Sequence, residues 1–365
     1  MKISGFNKKN SDIKIIVAMS GGVDSSVAAA LLKEEGYNVV GITLKLYSQS
    51  NITKSKSCCA GQDIEDAIKV AKQFKFPHHV LDYQDKFFSG VIDKFVESYA
   101  YGETPIPCIS CNQTVKFNDL LKYAKEHEVD ALVTGHYVRR VGAQKNAKMY
   151  KAKDPSKDQS YFLFATTKEQ LDFLRFPIGE YLKSEIRDIA SQISLPVKNK
   201  PDSQDICFVT KDSYRDLIEK LKPESLVKGN ILDIEGRIIG EHEGIVNYTI
   251  GQRKGLGLGG YKNPLYVVDI NKIKNEIILG EKKFLKKTKI NVKNINWIAD
   301  NIDLKNSIRC SARIRSTQKD SLGILNIKNQ KATFEFDSEI DSTSPGQACV
   351  FYLKDQVLGG GWITK

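Results

Sequence analysis

Two groups of residues in this sequence have the types and spacing to do chemistry. The first is Ser20-Gly21-Gly22-Val23-Asp24-Ser25-Ser26, set between an apolar run at 13–19 and a helical pattern at 27–35. Adjacent glycines let the backbone close on a ligand without interference from Cβ. The two serines stand where the helix begins, so its unpaired N–H groups and positive dipole end face the loop. Such a turn cradles phosphate. It is not a Walker loop, which would place a lysine on the β- and γ-phosphates: here Asp24 sits in the loop with no lysine beside it, and its carboxylate repels phosphate unless Mg²⁺ lies between them. The second group is made of thiols. Cys108 and Cys111 form a CxxC, and Cys207 lies in Asp202-Ser203-Gln204-Asp205-Ile206-Cys207-Phe208. Spacing alone leaves half a zinc site open, but there is no second CxxC and the histidines show no metal-site spacing. A thioredoxin-like dithiol needs a helix N-terminus, whereas this CxxC reads as lying between two prolines and a helix from Phe117 to His127.

Alternating strands and helices must position these groups. After the first strand–loop–helix unit, Gly36 stops the helix and 37–47 read as a second strand. Cys58 and Cys59 follow a polar loop, and then comes a helix with Ile64, Ile68, Ala71 and Phe74 on one face, closed by Pro77. A short strand at 78–82, a helical stretch carrying Phe87, Val91, Phe95 and Tyr99, and a strand at 131–136 complete the rhythm. This order predicts an α/β fold with a parallel sheet covered on both faces, whose ligands sit at the carboxyl ends of the strands. Ser20, Leu44 and Gly135 fall at or near such ends. The rhythm fades after a helix at 180–193, with Pro196 and Pro201 bracketing a basic extended segment. A short mixed region follows, ending in the glycine-rich stretch 251–260, and the short runs beyond a lysine-dense strip at 281–293 predict a small β-barrel.

The composition of the 365 residues, 41% hydrophobic and 27% charged, is that of a globular protein with room for two or three domains. No apolar run reaches the ~20 residues of a membrane helix, and the first residues lack the apolar segment of a secretory signal, so the expectation is a cytoplasmic protein with no membrane partner. A net charge of +11 favours a polyanionic partner such as nucleic acid. Seven cysteines in such a chain argue for thiol chemistry, metal binding or plain burial rather than a disulfide framework.

Several stretches together carry a resemblance. SGGVDSS is similar to the pyrophosphatase-type ATP loop (PP-loop) of enzymes that split ATP between the α- and β-phosphates. It is followed by the block from Thr104 to Phe117, Thr134-Gly135-His136-Tyr137, Lys157 to Leu163, Asp202 to Phe208, Gly251 to Gly260, Ser344 to Gln347, and an LGGGWI run near the C-terminus. In this order they resemble the bacterial tRNA-specific 2-thiouridylases over nearly the whole chain. The resemblance implies a PP-loop ATP-binding catalytic domain at 1–208, of the adenine-nucleotide alpha-hydrolase kind, a small central tRNA-binding domain at 209–275, and a C-terminal β-barrel domain at 276–365. It implies ATP-dependent adenylation of the oxygen on carbon 2 of the anticodon's wobble uridine, followed by sulfur transfer. Cys207 would carry a persulfide received from a sulfur-relay or cysteine-desulfurase protein, and Cys111 would be the nucleophile. ATP and Mg²⁺ would occupy the loop. Ala18, Met19, Ser20, Gly21, Gly22, Val23, Asp24, Ser25, Leu44 and Gly135 match the nucleotide site, while Ile106, Pro107 and Cys108 match the segment against the target base. His136, Lys157, Asp158, Gln159, Arg315, Ser316 and Gln347 match tRNA contacts, and the enzyme would be a monomer. One departure stands out: many members carry an aspartate, proposed as a general acid/base, where this chain has Cys108, and a thiol with a pKa near ~8.5 is a poor substitute. Cys108, Cys111 and Cys207 could instead ligate a [4Fe-4S] cluster.

Two rivals explain part of this. An adenylating synthetase of the same superfamily, acting on a small molecule, accounts for the loop but not for Cys111, Cys207 or the basic C-terminal half. An RNA-binding protein with a vestigial ATP site predicts a damaged loop, and SGGVDSS is intact.

Overall fold

The computed structural model describes residues 3, 5–47, 61–143, 146–202, 206–209, 214–261, 263–300, 302, 306–328, 331–341 and 343–365. Cys58, Cys59 and Ser203 to Asp205 lie outside the described residues.

The first sheet contains β1 (Lys14–Ala18), β2 (Asn38–Lys45), β3 (His78–Asp82), β4 (Ala131–Thr134) and the short β7 (Leu174–Arg175), in the order β3-β2-β1-β4-β7 and parallel throughout. Ile15, Ile16 and Val17 of β1 are all buried, as expected of a strand covered on both faces. Helix α1 (Val23–Glu34) lies against the sheet through Ala28, Ala29 and Ala30, whose small side chains permit close approach. Ala18 is in register with Ile42 on one side and Thr134 on the other, so the ends of β1, β2 and β4 open on one crevice. The chain reverses its direction of winding at β1, the place where such sheets take ligands.

Two helices depart from expectation. Helix α2 (Gln62–Gln73) buries Asp63, Ala67, Val70 and Ala71, leaving Ile64, Ile68 and Phe74 only half-buried. The stripe is rotated because Asp63 is drawn inward: its carboxylate pairs with Lys200 and its carbonyl packs on Gly21. The helix expected from Phe117 begins ten residues earlier, at Pro107. It runs through Pro107–Cys111, a π-helical stretch at Asn112–Asp119 and Leu120–Glu126. The CxxC therefore occupies a first helical turn, which corrects the sequence reading: Pro107 takes the N1 position, where its missing N–H costs nothing, and so starts the helix rather than excluding it.

Strands β8 (Gly229–Leu232), β9 (Ile238–His242), β10 (Tyr266–Asn271) and β11 (Glu276–Gly280) form the middle sheet, and the β10–β11 hairpin spans the division drawn at 275/276. Beyond it, β12 (Lys286–Trp297), β15 (Lys331–Asp341), β14 (Ser321–Lys328), β13 (Ile308–Arg313), β16 (Ala348–Leu353) and β17 (Gln356–Thr364) pair in that order, and β12–β17 pairing closes a six-stranded barrel. A hairpin from the first domain, β5 (Val138–Val141) and β6 (Lys148–Lys151), attaches to β17. The glycines of LGGGWI serve this closure: a Cβ on Gly360 would lie 2.7 Å from both the Cys349 carbonyl oxygen and the Phe164 ring. Cys310 and Cys349 are barrel-core residues. No described helix is long and apolar enough to cross a membrane.

Candidate active site

The phosphate loop is held from within and from two neighbours. Ser20 N donates to Ser25 Oγ at 3.2 Å, Ser26 Oγ donates to the Gly22 carbonyl at 2.7 Å, and Met19 N donates to the Ile42 carbonyl at 2.8 Å. Helix α1 starts at Val23 with Gly22 as its cap and no side-chain capping bond, so the first-turn N–H groups face the crevice. Gly21 has φ +72° and would meet the Asp63 carbonyl oxygen at 2.2 Å if it carried a Cβ. Gly135, one residue past β4, would meet the Ser25 backbone nitrogen at 2.6 Å. These two glycines let the loop sit between α2 and the end of β4. Ala18 and Val23 flank the loop, and Leu44 lies at the carboxyl end of β2, packed against two hydrophobic clusters.

The lysine missing from the local sequence arrives from elsewhere. Lys183, the first residue of helix α3 (Lys183–Gln192), donates to both oxygens of Asp24 at 2.7 and 2.8 Å. Tyr137 OH donates to Asp24 Oδ1 at 2.8 Å, and Tyr137 is itself set by Gln159, whose Oε1 accepts its backbone N–H at 2.8 Å. Lys183 also lies 2.9 Å from Asp202, which pairs further with Lys157 at 2.8 Å and Arg187 at 2.6 Å. Burial alone would push Asp202 upward, but the hydrogen bonds from Lys157 and Lys183 hold its carboxyl well below the usual range. Lys200 donates to the Gly21 carbonyl at 3.0 Å and pairs with Asp63 and Asp66. Sequence reasoning missed Lys183, Lys200 and Asp202 as parts of the site. One signal was available: a lysine in the first turn of a helix is mildly disfavoured by the helix dipole, so a carboxylate beside it is favourable.

The thiols converge on a second cluster. Cys111 is a buried member of the core formed by Phe87, Val91, Phe95, Tyr99 and Phe208, and Cys207 packs partly buried against the same core. Phe208 anchors its segment edge-on between Phe87 and Phe95, at 5.7 and 5.2 Å between ring centroids, and Tyr47 OH donates to the Cys207 carbonyl at 2.7 Å. Burial pushes the Cys207 thiol up to about 12, with Cys111 and Cys108 adding to the rise and Lys116 opposing it. Cys111 is raised by burial in the same way, again with Lys116 opposing. Cys108 is exposed, and desolvation by the surrounding protein raises its thiol too. Lys116, on the π-helical stretch, is thus the cation shared by all three sulfurs, a role the sequence reading did not assign. Among the described residues no group of three His, Cys, Asp or Glu side chains is arranged to hold a metal ion, so the iron–sulfur alternative gains no support.

His136 follows Gly135 at the end of the same strand. It sits two residues past β4, its Nδ1 is 2.8 Å from Thr134 Oγ1, and its ring packs edge-on against Phe117 and Phe176. Burial, with Lys116 adding to it, pulls its imidazole down to about 3, so it is neutral at pH 7.

The remaining matched residues divide by environment. Ile106 caps the CxxC helix and Pro107 opens it. Gln347 Nε2 donates to the Thr104 carbonyl at 2.9 Å, and Thr104 N donates to the Pro345 carbonyl at 2.9 Å, so the Ser344–Gln347 turn of the barrel fixes the segment leading into the CxxC. Ser316 is exposed, and Arg315 Nη2 lies 3.7 Å from the Cβ position of Gly251, which brings the barrel loop up to the glycine-rich stretch. In that stretch Leu256 is buried while Arg253 and Lys254 face solvent. Asp158 differs from these. Its carboxylate is 2% exposed and accepts from Ala152 N, Ser160 N, Ser160 Oγ and Arg313, the last at 2.7 Å across the junction with the barrel. These contacts tie the first domain to the barrel. Asp158→Ala is expected to cost about 3 kcal/mol, because it leaves the buried Arg313 guanidinium only its longer contact to Asp320, at 3.7 Å. Denaturant unfolding checks this, and unchanged stability with weakened RNA binding would place the carboxylate on the RNA instead.

Comparison with known proteins agrees along the whole chain. Profiles described as "tRNA methyl transferase HUP domain", "tRNA methyl transferase PRC-barrel domain" and "Aminomethyltransferase beta-barrel domain" match residues 13–211, 215–281 and 287–363. The chain is 50% identical over 353 residues to the tRNA-specific 2-thiouridylase MnmA of Rickettsia canadensis, covering 96% of each. It is 48% identical to the corresponding protein of Paracoccus denitrificans, covering 99% of this chain and 94% of that one. Among solved structures, a 4-thiouridine synthetase–RNA complex with bound ATP is 18% identical over 58% of this chain and 50% of its own, with a TM-score of 0.34, too low to carry any argument.

Proposed function

The chain belongs to the tRNA-specific 2-thiouridylase family, and from that premise we propose how its own residues perform the thiolation of a tRNA wobble uridine. ATP binds as substrate with its phosphates on the loop from Ser20 to Ser25. The uridine oxygen on carbon 2 attacks the α-phosphorus, the bond to the bridging oxygen breaks, and pyrophosphate leaves with the electron pair while the proton on nitrogen 3 goes to solvent. This turns a poor leaving group into AMP. A wobble uridine is unpaired, so bringing it to the segment Ile106–Cys108 costs little base-pairing energy. Exposed cations such as Arg253 and Lys254 would hold the RNA through phosphate contacts, which position rather than specify.

Sulfur arrives as a persulfide on Cys207, delivered by a persulfide-carrying partner protein. The Cys111 thiolate attacks the Cys207 sulfur, releasing hydrosulfide and forming a Cys111–Cys207 disulfide. Hydrosulfide displaces AMP from carbon 2, and a dithiol reductant supplies the two electrons that reopen the disulfide. Lys116 is placed to favour the thiolate of Cys111. His136, being neutral, can exchange hydrogen bonds with the base without bringing a charge.

Mg²⁺ takes one or two carboxylates alongside phosphate oxygens and water. Asp24, paired in this structure with Lys183 and Tyr137, carries the carboxylate that would hold the ion, which would there neutralise charge on the departing pyrophosphate.

The observation that carries this reading is the packing of Cys111 and Cys207 on one core beside the ends of the strands that hold the loop. The test is pyrophosphate release from ATP without a sulfur donor. A burst that requires tRNA lacking the 2-thio group is expected; release indifferent to tRNA would favour a small-molecule adenylating synthetase.

A further inference from the structure

One cation bonds the backbone of the phosphate loop directly. Lys200 donates to the Gly21 carbonyl at 3.0 Å and to Asp66 at 2.7 Å, and it pairs with Asp63 as well. Both carboxylates lie near the start of α2, with side chains 8% exposed for Asp63 and 14% for Asp66, so the ammonium is held on that helix while its remaining bond goes to the loop. The main chain of Lys200 is fixed too. Arg187, within α3, donates to the carbonyls of Lys198 and Lys200 at 2.9 and 2.6 Å.

The peptide that Lys200 holds joins two glycines. A peptide group is planar and trans, so its C=O and N–H point in opposite directions; with the Gly21 carbonyl turned to Lys200, the Gly22 N–H is turned away from it. No hydrogen bond from that N–H is found among the described residues. It is a donor left for a ligand, next in the chain to the first-turn N–H groups of α1. Glycines take either sign of φ at little cost, so this plane can rotate and present its oxygen where its N–H stood. Phosphate binds the first arrangement and is repelled by the second. Resting on the reading of the loop as the ATP site, we infer that Lys200 is a positioning residue: it fixes the Gly21–Gly22 peptide in the phosphate-accepting orientation, and so sets the affinity of the site for the phosphates of ATP and not for its nucleoside. Asp63 and Asp66 serve the same end by holding the ammonium under the carbonyl. The segment from Lys198 to Lys200 is thereby part of the nucleotide site, although it lies far from the loop in sequence.

The experiment titrates the full chain with α,β-methylene-ATP and with adenosine, which has no phosphate, for wild type, Lys200→Met, Lys200→Arg and the double variant Asp63→Ala/Lys200→Met. Met is expected to raise the Kd for the analogue by about 10-fold or more, the scale of one hydrogen bond to a charged group, while the Kd for adenosine stays within about twofold. Arg, whose guanidinium also donates to a carbonyl and to carboxylates, recovers most of the loss. Lys200→Met strands the buried Asp63 carboxylate. Where that impairs folding, the double variant removes the stranded charge and is expected to show the same loss for the analogue alone. Binding of the analogue by a folded Met-containing variant within about threefold of wild type overturns the inference. So does an equal loss for adenosine, which marks a general distortion of the crevice. If the loss is confined to the analogue, yet wild type releases no pyrophosphate with tRNA, the adenylation reading falls and the role of Lys200 stands.

Discussion

Cys207→Ser is expected to abolish 2-thiouridine formation while leaving tRNA binding and tRNA-dependent pyrophosphate release nearly unchanged. The contacts that hold this segment do not go through the sulfur: Tyr47 bonds the backbone carbonyl, and Phe208 is the side chain wedged between Phe87 and Phe95. Serine keeps the shape, and its hydroxyl costs at most about 1–3 kcal/mol if left unpaired in partly buried surroundings. What is lost is the atom that carries sulfane sulfur. Adenylation precedes that atom's use, so pyrophosphate release survives. Cys111→Ser gives a complementary result: sulfur loaded on Cys207 accumulates as persulfide, because the thiolate that would release it is gone. Nucleoside mass spectrometry and filter binding check both variants. Loss of tRNA binding as large as the loss of thiolation in Cys207→Ser would assign that residue to structure, and normal thiolation in Cys111→Ser would mean that the persulfide attacks the base directly.

Local pattern carried much of the architecture and part of the site. The loop after β1 was legible because glycines, a capped strand end and a helix start occupy consecutive positions. Gly135 was placed by its position after a strand, and the reason it must be glycine, contact with the backbone of Asp24 and Ser25, needs the folded chain. The charge network was not legible. Lys183 reaches Asp24 across 159 residues, and Lys200 reaches Gly21 across 179. Each looks in sequence like any surface lysine of a basic protein. The start of the CxxC helix was misplaced because the CxxC was read as lying between two prolines and a helix, although one of those prolines stands where proline starts a helix. Asp158, matched to RNA contacts, pairs in the structure with Arg313, a pairing that exists only because the barrel docks on the first domain. Residues whose role depends on long-range pairing were those that one-dimensional pattern could not resolve.

The reactivity of Cys207 should be strongly suppressed at neutral pH in the nucleotide-free protein. With its thiol pushed up to about 12 from an ordinary value of 9.0, the thiolate fraction falls about a thousandfold. A more basic thiolate is also a better nucleophile, and with a Brønsted slope of about 0.4–0.5 it recovers roughly 20-fold of that loss. The net expectation is a reaction with an aromatic disulfide about 50-fold slower than that of an exposed cysteine, before any steric hindrance. The pH profile is the sharper readout. The rate should keep rising about tenfold per pH unit through pH 10, where an ordinary thiol levels off near ~8.5. Stability follows the same linkage: a thiol kept neutral by the fold contributes below its unfolded pKa, and that contribution is lost as pH climbs from about 9 towards about 12. A plateau near pH 8 would mean that Lys116 outweighs burial and that Cys207 rests as a thiolate.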